Sequence, residues 1–264
     1  MSSLLAGLID RLTAQPARLR IKGYPIAPGD SRATSGLPFR HWAAEGAANI
    51  EVCMQAILAA ATIAAVLAIL SAEMGWARVH YATKPVPTLL ILALAAIAVP
   101  EGSPARVPLL IALALCLLGD ILLMLPHDSF RAGLATFLLA HLAFITALAT
   151  RLDALPPPSG LLVLLALAGL LILALWGGLG HYALPVAIYT AVLATMVWMA
   201  WGGMVSFSSP PTRLAFGGAS LFLISDAVLA VRRFRGRFPG GQVLTLGTYY
   251  PALALIALSF STAT

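Results

Sequence analysis

Long apolar runs are the feature that most constrains how this chain folds. They are rich in leucine and alanine, and each is close to the length of about 20 residues that a helix needs to cross a bilayer. Short stretches rich in proline, glycine and charged residues separate them. We predict eight spans, at about 48–72, 85–100, 107–125, 131–150, 159–178, 183–204, 213–231 and 242–261.

The sequence therefore predicts an all-α polytopic membrane protein, a bundle of eight transmembrane helices joined by short loops. Strands of a membrane barrel would be about 10 residues long with alternating hydropathy, whereas these runs are longer and do not alternate. The composition agrees, because 60% of the residues are hydrophobic and only 10% are charged. A soluble domain has about a quarter of its residues charged.

The N-terminal part of the chain differs in kind from the rest. Residues 1–46 are polar and basic, and we expect a tail that includes a short interfacial helix at 2–13, where leucine and isoleucine recur at helical spacing. Asp10 and Arg11 interrupt this stretch, so we expect no secretory signal. Residues 47–262 are predicted to form the eight-helix transmembrane domain.

Charge and cysteine content narrow the classes of ligand. The net charge of +6 comes from basic residues spread over loops and the tail, which fits the headgroups of a lipid bilayer and not nucleic acid. Cys53 and Cys116 lie in apolar runs without CxxC or nearby histidine spacing, so we expect buried apolar thiols. No metal, cofactor or obligate protein partner is expected.

Two carboxylates interrupt the apolar runs. Asp120 lies in "ALCLLGDILLMLP" and Asp226 in "ASLFLISDAVLAV", each five residues before the end of a predicted span. Both spans are odd-numbered and cross in the same direction, so both acids lie about 7–8 Å from one membrane face. Such acids are either structural hydrogen-bond partners or functional groups, and their energetic cost favours function.

Other polar residues are predicted near the same face. Lys84, Tyr249 and Tyr250 lie there, and His141 lies nearer the middle of the fourth span. The tyrosines either line a site or pack as aromatics, and His141 is either an interhelical histidine or a site residue. Lys84 and the arginines at 232–237 are either interfacial anchors or a basic rim, which would suit an anionic headgroup above an acid/base site. Basic residues of the short loops are more numerous on this face, so we expect it to lie in the cytoplasm. The membrane is expected to be a bacterial inner (cytoplasmic) membrane.

Five segments together resemble one known family. They are "KPVPTLLI" (84–91), "GDILLML" (119–125), "GLATFLLAHLAFI" (133–145), "ISDAVLAVRRF" (224–234) and "TYYPALALIALS" (248–259). In this order they resemble the YhhN-type membrane family, the lysoplasmalogenases, and the resemblance covers about residues 50–261. One position departs from the family, because Leu253 stands where the family usually has a glutamine.

The resemblance implies hydrolysis of the vinyl ether of a lysoplasmalogen, a lysophospholipid, to a fatty aldehyde and glycerophosphoethanolamine or glycerophosphocholine. The chemistry needs a proton donor, an anion that stabilises an oxocarbenium ion, and a water. Two carboxylates in unlike protonation states can supply the first two. We therefore expect Asp120 and Asp226 to be catalytic, in roles that the sequence does not assign. Residues expected to bind substrate are Lys84, His141, Tyr249, Tyr250 and Ser225.

A proton-coupled membrane transporter that uses the same acid pair is the alternative. Transporters often carry internal repeats with broken helices in matching positions. No repeat between the two halves is evident in this chain. The hydrolase is therefore the favoured interpretation.

Overall fold

The computed structural model describes residues 37–125 and 129–261, with side chains from residue 50 onward. These residues form nine α-helices and no strand, so the predicted all-α class is confirmed. The tail helix predicted at 2–13 lies outside the described residues. The helices are α1 (Leu37–Glu73), α2 (Ala77–Thr83), α3 (Pro85–Ala98), α4 (Arg106–Leu122), α5 (Phe130–Ala149), α6 (Pro158–Leu179), α7 (Ala183–Phe207), α8 (Pro210–Phe234) and α9 (Gly241–Ser259).

Six helical stretches in the described part of the chain are long and apolar enough to cross a membrane. The chain is thus an integral membrane protein, while the count of eight spans stays a prediction. Helix α4 has 17 residues and is shorter than these stretches, and α6 and α7 together form one apolar stretch of 50 residues. The six stretches are Ile50–Glu73, Ala77–Ala98, Phe130–Ala149, Pro158–Phe207, Pro210–Phe234 and Gly241–Ser259.

The chain divides into two units, Met1–Glu45 and Gly46–Thr264. The described part of the first unit is the beginning of α1, from Leu37. The division into a tail of residues 1–46 and a domain of residues 47–262 stays a prediction.

Local sequence explains where several helices begin. Proline occupies the first turn of α3, α6 and α8, where its missing N–H has no helical partner to lose. Ser209 and Thr212 form a reciprocal capping box at the start of α8. Gly240 precedes α9 with a φ of +74°, a backbone conformation that favours glycine.

Six helices of the second unit form a closed ring. Each member packs on the next in the order α3, α4, α5, α7, α8 and α9, and α9 returns to pack on α3. Helix α6 lies outside this ring, against α7 and α8. The ring interior is the main hydrophobic core, in which Phe222 packs edge-to-face on Phe137, Phe144 and Tyr249.

Helix α1 packs on α3 through one face. Met54 on this face forms a small apolar cluster with Leu94 and Ala98 of α3. Cys53 lies on another face of α1 and is exposed, whereas Cys116 is buried in the core. The expectation that both thiols are buried is therefore wrong for Cys53. Cys53 is exposed because it lies on a face of α1 that does not pack on α3.

Helices α8 and α9 approach each other most closely at Gly218. A Cβ atom added there would lie 2.8 Å from the Ala252 carbonyl oxygen and 3.0 Å from the Ile256 amide nitrogen. At the preceding residue, Gly217, the same atom would meet only a Leu255 methyl group at 4.0 Å. Small residues at such positions let membrane helices pack backbone to backbone.

We expect Gly218→Ala to destabilise the protein by about 1–3 kcal/mol, because backbone atoms of α9 cannot move aside for the new methyl group. Gly217→Ala is the matched control, and we expect it to keep or raise the melting temperature, since alanine is the better helix former. Thermal unfolding of the two variants in detergent measures the difference. Equal melting temperatures would contradict the close approach of α8 and α9.

Candidate active site

Asp120 lies near the end of α4 and is held by side chains from two other helices. Its Oδ2 atom accepts hydrogen bonds from the Thr88 hydroxyl at 2.7 Å and from the Tyr249 hydroxyl at 2.9 Å. The carboxylate is buried, with 3% of its side chain exposed. Two donors on one oxygen fix the carboxylate in place and stabilise its charged form.

Lys84, just before α3, supplies the positive charge next to Asp120. Its Nζ atom lies 4.0 Å from Asp120 Oδ1 and donates to the Asp120 backbone carbonyl at 3.3 Å. The Tyr250 hydroxyl donates to the Lys84 backbone carbonyl at 2.9 Å. Lys84 is therefore held by α4 and α9 together, and its ammonium group compensates the carboxylate.

Asp226, on α8, has a different environment. The Tyr189 hydroxyl of α7 donates a hydrogen bond to its Oδ2 atom. His141 of α5 places its Nε2 atom 3.8 Å from the same oxygen. Within the described residues, no lysine or arginine lies within 4.0 Å of this carboxyl group, which is 10% exposed.

His141 is fully buried between aromatic rings. Its imidazole packs edge-to-face on Tyr189 and Phe222, with ring centroids 5.1 and 4.7 Å away. Neither ring nitrogen has a hydrogen-bond partner among the described residues. A buried polar group without a partner is costly, so the nearby Asp226 carboxyl group offers this histidine a polar contact.

One cavity of about 540 Å³ brings the two carboxyl groups together. Asp120 and Asp226 both line it, and so does Tyr249. Its basic lining includes Lys84, His80, Arg232, Arg233 and Arg237. The cavity therefore combines two acids with a surplus of positive charge, which suits an anionic ligand.

Each residue predicted for the site lies in or next to this cavity. Lys84, Ser225 and Tyr249 line it, and the Ser225 hydroxyl donates to the Thr245 carbonyl of α9 at 3.0 Å. His141 reaches the cavity only through Asp226, and Tyr250 only through Lys84. Their assignment as substrate-binding residues stays a prediction.

The described residues contain no group of three or more histidine, cysteine or acidic side chains that could hold a metal ion.

The sequence model of the YhhN family matches residues 79–260, which is more than half of the chain and contains all of these site residues. The chain belongs to the YhhN family.

Its relatives include bacterial and mammalian proteins. It is 33% identical over 177 residues to the uncharacterized membrane protein YhhN of Escherichia coli O6:H1, which covers 65% of this chain and 83% of the relative. It is 35% identical over 181 residues to lysoplasmalogenase TMEM86B of Sus scrofa, covering 67% and 74%. Human lysoplasmalogenase TMEM86B is 35% identical over 150 residues, covering 56% and 61%. No solved structure matches the chain.

The site of this YhhN protein contains residues that the sequence reasoning missed. Thr88 and Tyr189 each donate to one of the two aspartates, and Gln242 and Thr245 line the cavity. Thr88 lies within the "KPVPTLLI" segment, and Tyr189 is a polar side chain inside an apolar helix. Both patterns were available in the sequence, but only the packing of the helices shows which acid each one meets.

Leu253, at the position where the family usually has glutamine, is fully buried in the core and does not line the cavity. Gln242, at the beginning of the same helix, provides an amide to the cavity. In this YhhN protein the hydrogen-bonding groups around Asp120 are thus Thr88, Tyr249 and Lys84.

We expect Lys84→Met to destabilise the protein by about 1–3 kcal/mol, because it leaves the Asp120 carboxylate buried without its counter-ion. The double variant Lys84→Met with Asp120→Asn should recover most of this loss, since no charge then remains to be compensated. Thermal unfolding of the parent, both single variants and the double variant measures the coupling. Additive losses would contradict a charge interaction between Lys84 and Asp120.

Proposed function

We propose that this protein is a membrane hydrolase that cleaves the vinyl ether bond of lysoplasmalogens. The products are a fatty aldehyde and glycerophosphoethanolamine or glycerophosphocholine. The observation that carries the proposal is a single cavity that contains two carboxyl groups in unlike surroundings beneath a basic lining. Relatives named lysoplasmalogenase, which match more than half of the chain, support the same substrate class.

The chemistry of the bond explains why two acids are needed. A vinyl ether resists base but is cleaved after protonation of its β-carbon, which produces a resonance-stabilised oxocarbenium ion. One carboxyl group donates this proton, and a second, negatively charged one stabilises the cation. Glycoside hydrolases divide the work between two carboxyl groups in the same way.

The basic lining of the cavity supplies the recognition of the headgroup. Arg232 and Arg237 line the cavity on the side where α8 ends, and Lys84 lies beside Asp120. Guanidinium groups bind phosphate oxygens through charge-assisted hydrogen bonds. The glycerophosphate part of the substrate therefore binds among these side chains, above the two acids.

The same arginines favour an orientation in the membrane. Basic residues at helix ends concentrate on the cytoplasmic side of bacterial membranes. We therefore assign the protein to the bacterial inner membrane, with the cavity open to the cytoplasm. The substrate enters from the lipid of that leaflet.

The first test measures aldehyde release from a lysoplasmalogen by the purified protein in detergent. We expect activity in the parent and a loss of at least about 100-fold in both Asp120→Asn and Asp226→Asn, because each change removes a titratable proton and keeps the shape. Asp153→Asn is the matched control, since Asp153 is exposed in the loop before α6. Its activity should equal that of the parent.

Melting temperatures of the four proteins separate loss of chemistry from loss of fold. If the parent releases no aldehyde from ethanolamine or choline substrates, the hydrolase assignment is wrong. If it is active and both asparagine variants keep that activity, the assignment stands and the two-aspartate mechanism is wrong.

The second test concerns the headgroup. We expect Arg237→Gln to raise KM about tenfold with little change in kcat, because a charge-assisted contact to phosphate is worth roughly 1.5–3 kcal/mol and is made in the ground state as well. Arg213→Gln, an exposed arginine in the first turn of α8 at the opposite end of the helix, is the control. Equal KM values for the two variants would refute phosphate binding at Arg237.

A further inference from the structure

A second, narrower space adjoins the polar cavity. It is an apolar groove of about 50 Å³ between α6 and the ring, with walls from α5, α6, α7 and α8. Its lining includes Leu171, Leu175, Leu193 and Ala230. A space of this size and lining accepts part of a single hydrocarbon chain and offers almost nothing to a polar group.

Asp226 lies where the two spaces meet. It lines both the polar cavity and the apolar groove, together with the apolar side chains of Leu123, Phe130, Phe137 and Leu229. Asp120 lines the polar cavity but not the groove. The two acids therefore face different parts of any ligand that fills both spaces.

A lysoplasmalogen changes character at the bond that is broken. The glycerophosphate is polar and anionic, the alkenyl chain is apolar, and the vinyl ether joins them. With the phosphate among the arginines and the chain in the groove, the vinyl ether lies at the junction. This step rests on the proposed function.

The contacts of the two acids also differ in a way that separates their roles. Asp120 has the Lys84 ammonium group and two hydroxyl donors, which stabilise a carboxylate anion. Asp226 receives one hydroxyl donor, from Tyr189, and its other polar neighbour is the fully buried His141. A carboxyl group without a lysine or arginine partner in an apolar wall retains a proton more readily.

We propose that the alkenyl chain occupies the groove between α6 and the ring, and that Asp226 donates the proton to the vinyl ether while Asp120 remains charged. Tyr189 and His141 act on Oδ2 of Asp226 as positioning residues. They leave Oδ1 to carry the proton that is transferred.

The reaction then balances with one water. The π electrons of the vinyl group form a new C–H bond with the Asp226 proton, and the ether oxygen shares its lone pair with the adjacent carbon to give the oxocarbenium ion. Water adds to that carbon and gives a proton to Asp226, which is thereby restored. The hemiacetal formed breaks its bond to the glycerol oxygen, yielding the aldehyde and the free glycerol hydroxyl group, with the proton moving from the hemiacetal hydroxyl to that oxygen.

The first experiment tests the groove. Ala230→Phe fills part of it, and we expect the ratio of kcat/KM for a long-chain over a short-chain 1-alkenyl substrate to fall about tenfold, because about two methylene groups lose their burial. Ile224→Phe is the matched control on the same helix, since Ile224 is exposed on the outer surface. It should keep the ratio of the parent.

The milder variant Ala230→Leu guards against a failure to fold, and we expect it to lower the same ratio by a smaller factor. An unchanged ratio in folded Ala230 variants would overturn the assignment of the groove. Absence of aldehyde from the parent on every chain length would instead overturn the proposed function.

The second experiment separates the two acids by charge. The probe is a lysophospholipid analogue with a protonated amine in place of the ether oxygen, which imitates the charge of the oxocarbenium ion and cannot be hydrolysed. We expect Asp120→Asn to weaken its binding about tenfold, because an anion is lost, and Asp226→Asn to change it less than about twofold. The opposite pattern would overturn the assignment of Asp226 as the proton donor.

Discussion

The polar contacts around Asp120 close the helix ring. Thr88 and Lys84 belong to the beginning of α3, Asp120 to the end of α4, and Tyr249 to α9. In a bilayer, apolar packing discriminates weakly between helix neighbours, because lipid tails are as apolar as leucine, and hydrogen bonds add specificity. Helices α9 and α3 are far apart in the chain. The hydrogen bonds around Asp120 explain why these two helices become neighbours. The Lys84 and Asp120 pair that is proposed to act in catalysis thus also helps to specify the topology.

Asp226 has the corresponding position on the other side of the cavity. Tyr189 and His141 reach it from α7 and α5, so this acid also joins three members of the ring. Asp120 lies beside an ammonium group, whereas Asp226 lies beside a hydroxyl group and an imidazole. The difference between the two carboxyl groups arises from which helices meet at each one, since the residue type is the same.

Sequence reasoning found the helices and the acids but not their arrangement. Apolar runs and proline or glycine breaks gave spans within a few residues of α3, α5 and α8, because those features act locally. The acids were evident because a carboxyl group in an apolar run is costly. Tyr189 was missed because a tyrosine in a membrane helix is an ordinary packing residue until its neighbour is known. The ring order, the outer position of α6 and the groove depend on contacts between distant segments, which hydropathy does not encode.

The outer position of α6 is what makes two connected spaces possible. Two contacts join its C-terminal end to α8. Gly178 packs so closely against the Phe234 carbonyl that no side chain would fit between them, and the Arg235 guanidinium group donates a hydrogen bond to the Ala174 carbonyl. Tyr182, in the turn that follows, packs on Phe130 and Phe234 with ring centroids 5.5 and 5.8 Å away. A helix that contacts α8 at this end and lies outside the ring leaves an apolar groove along α8. The lysophospholipid proposed as substrate has one hydrocarbon chain, so one such groove is sufficient for it.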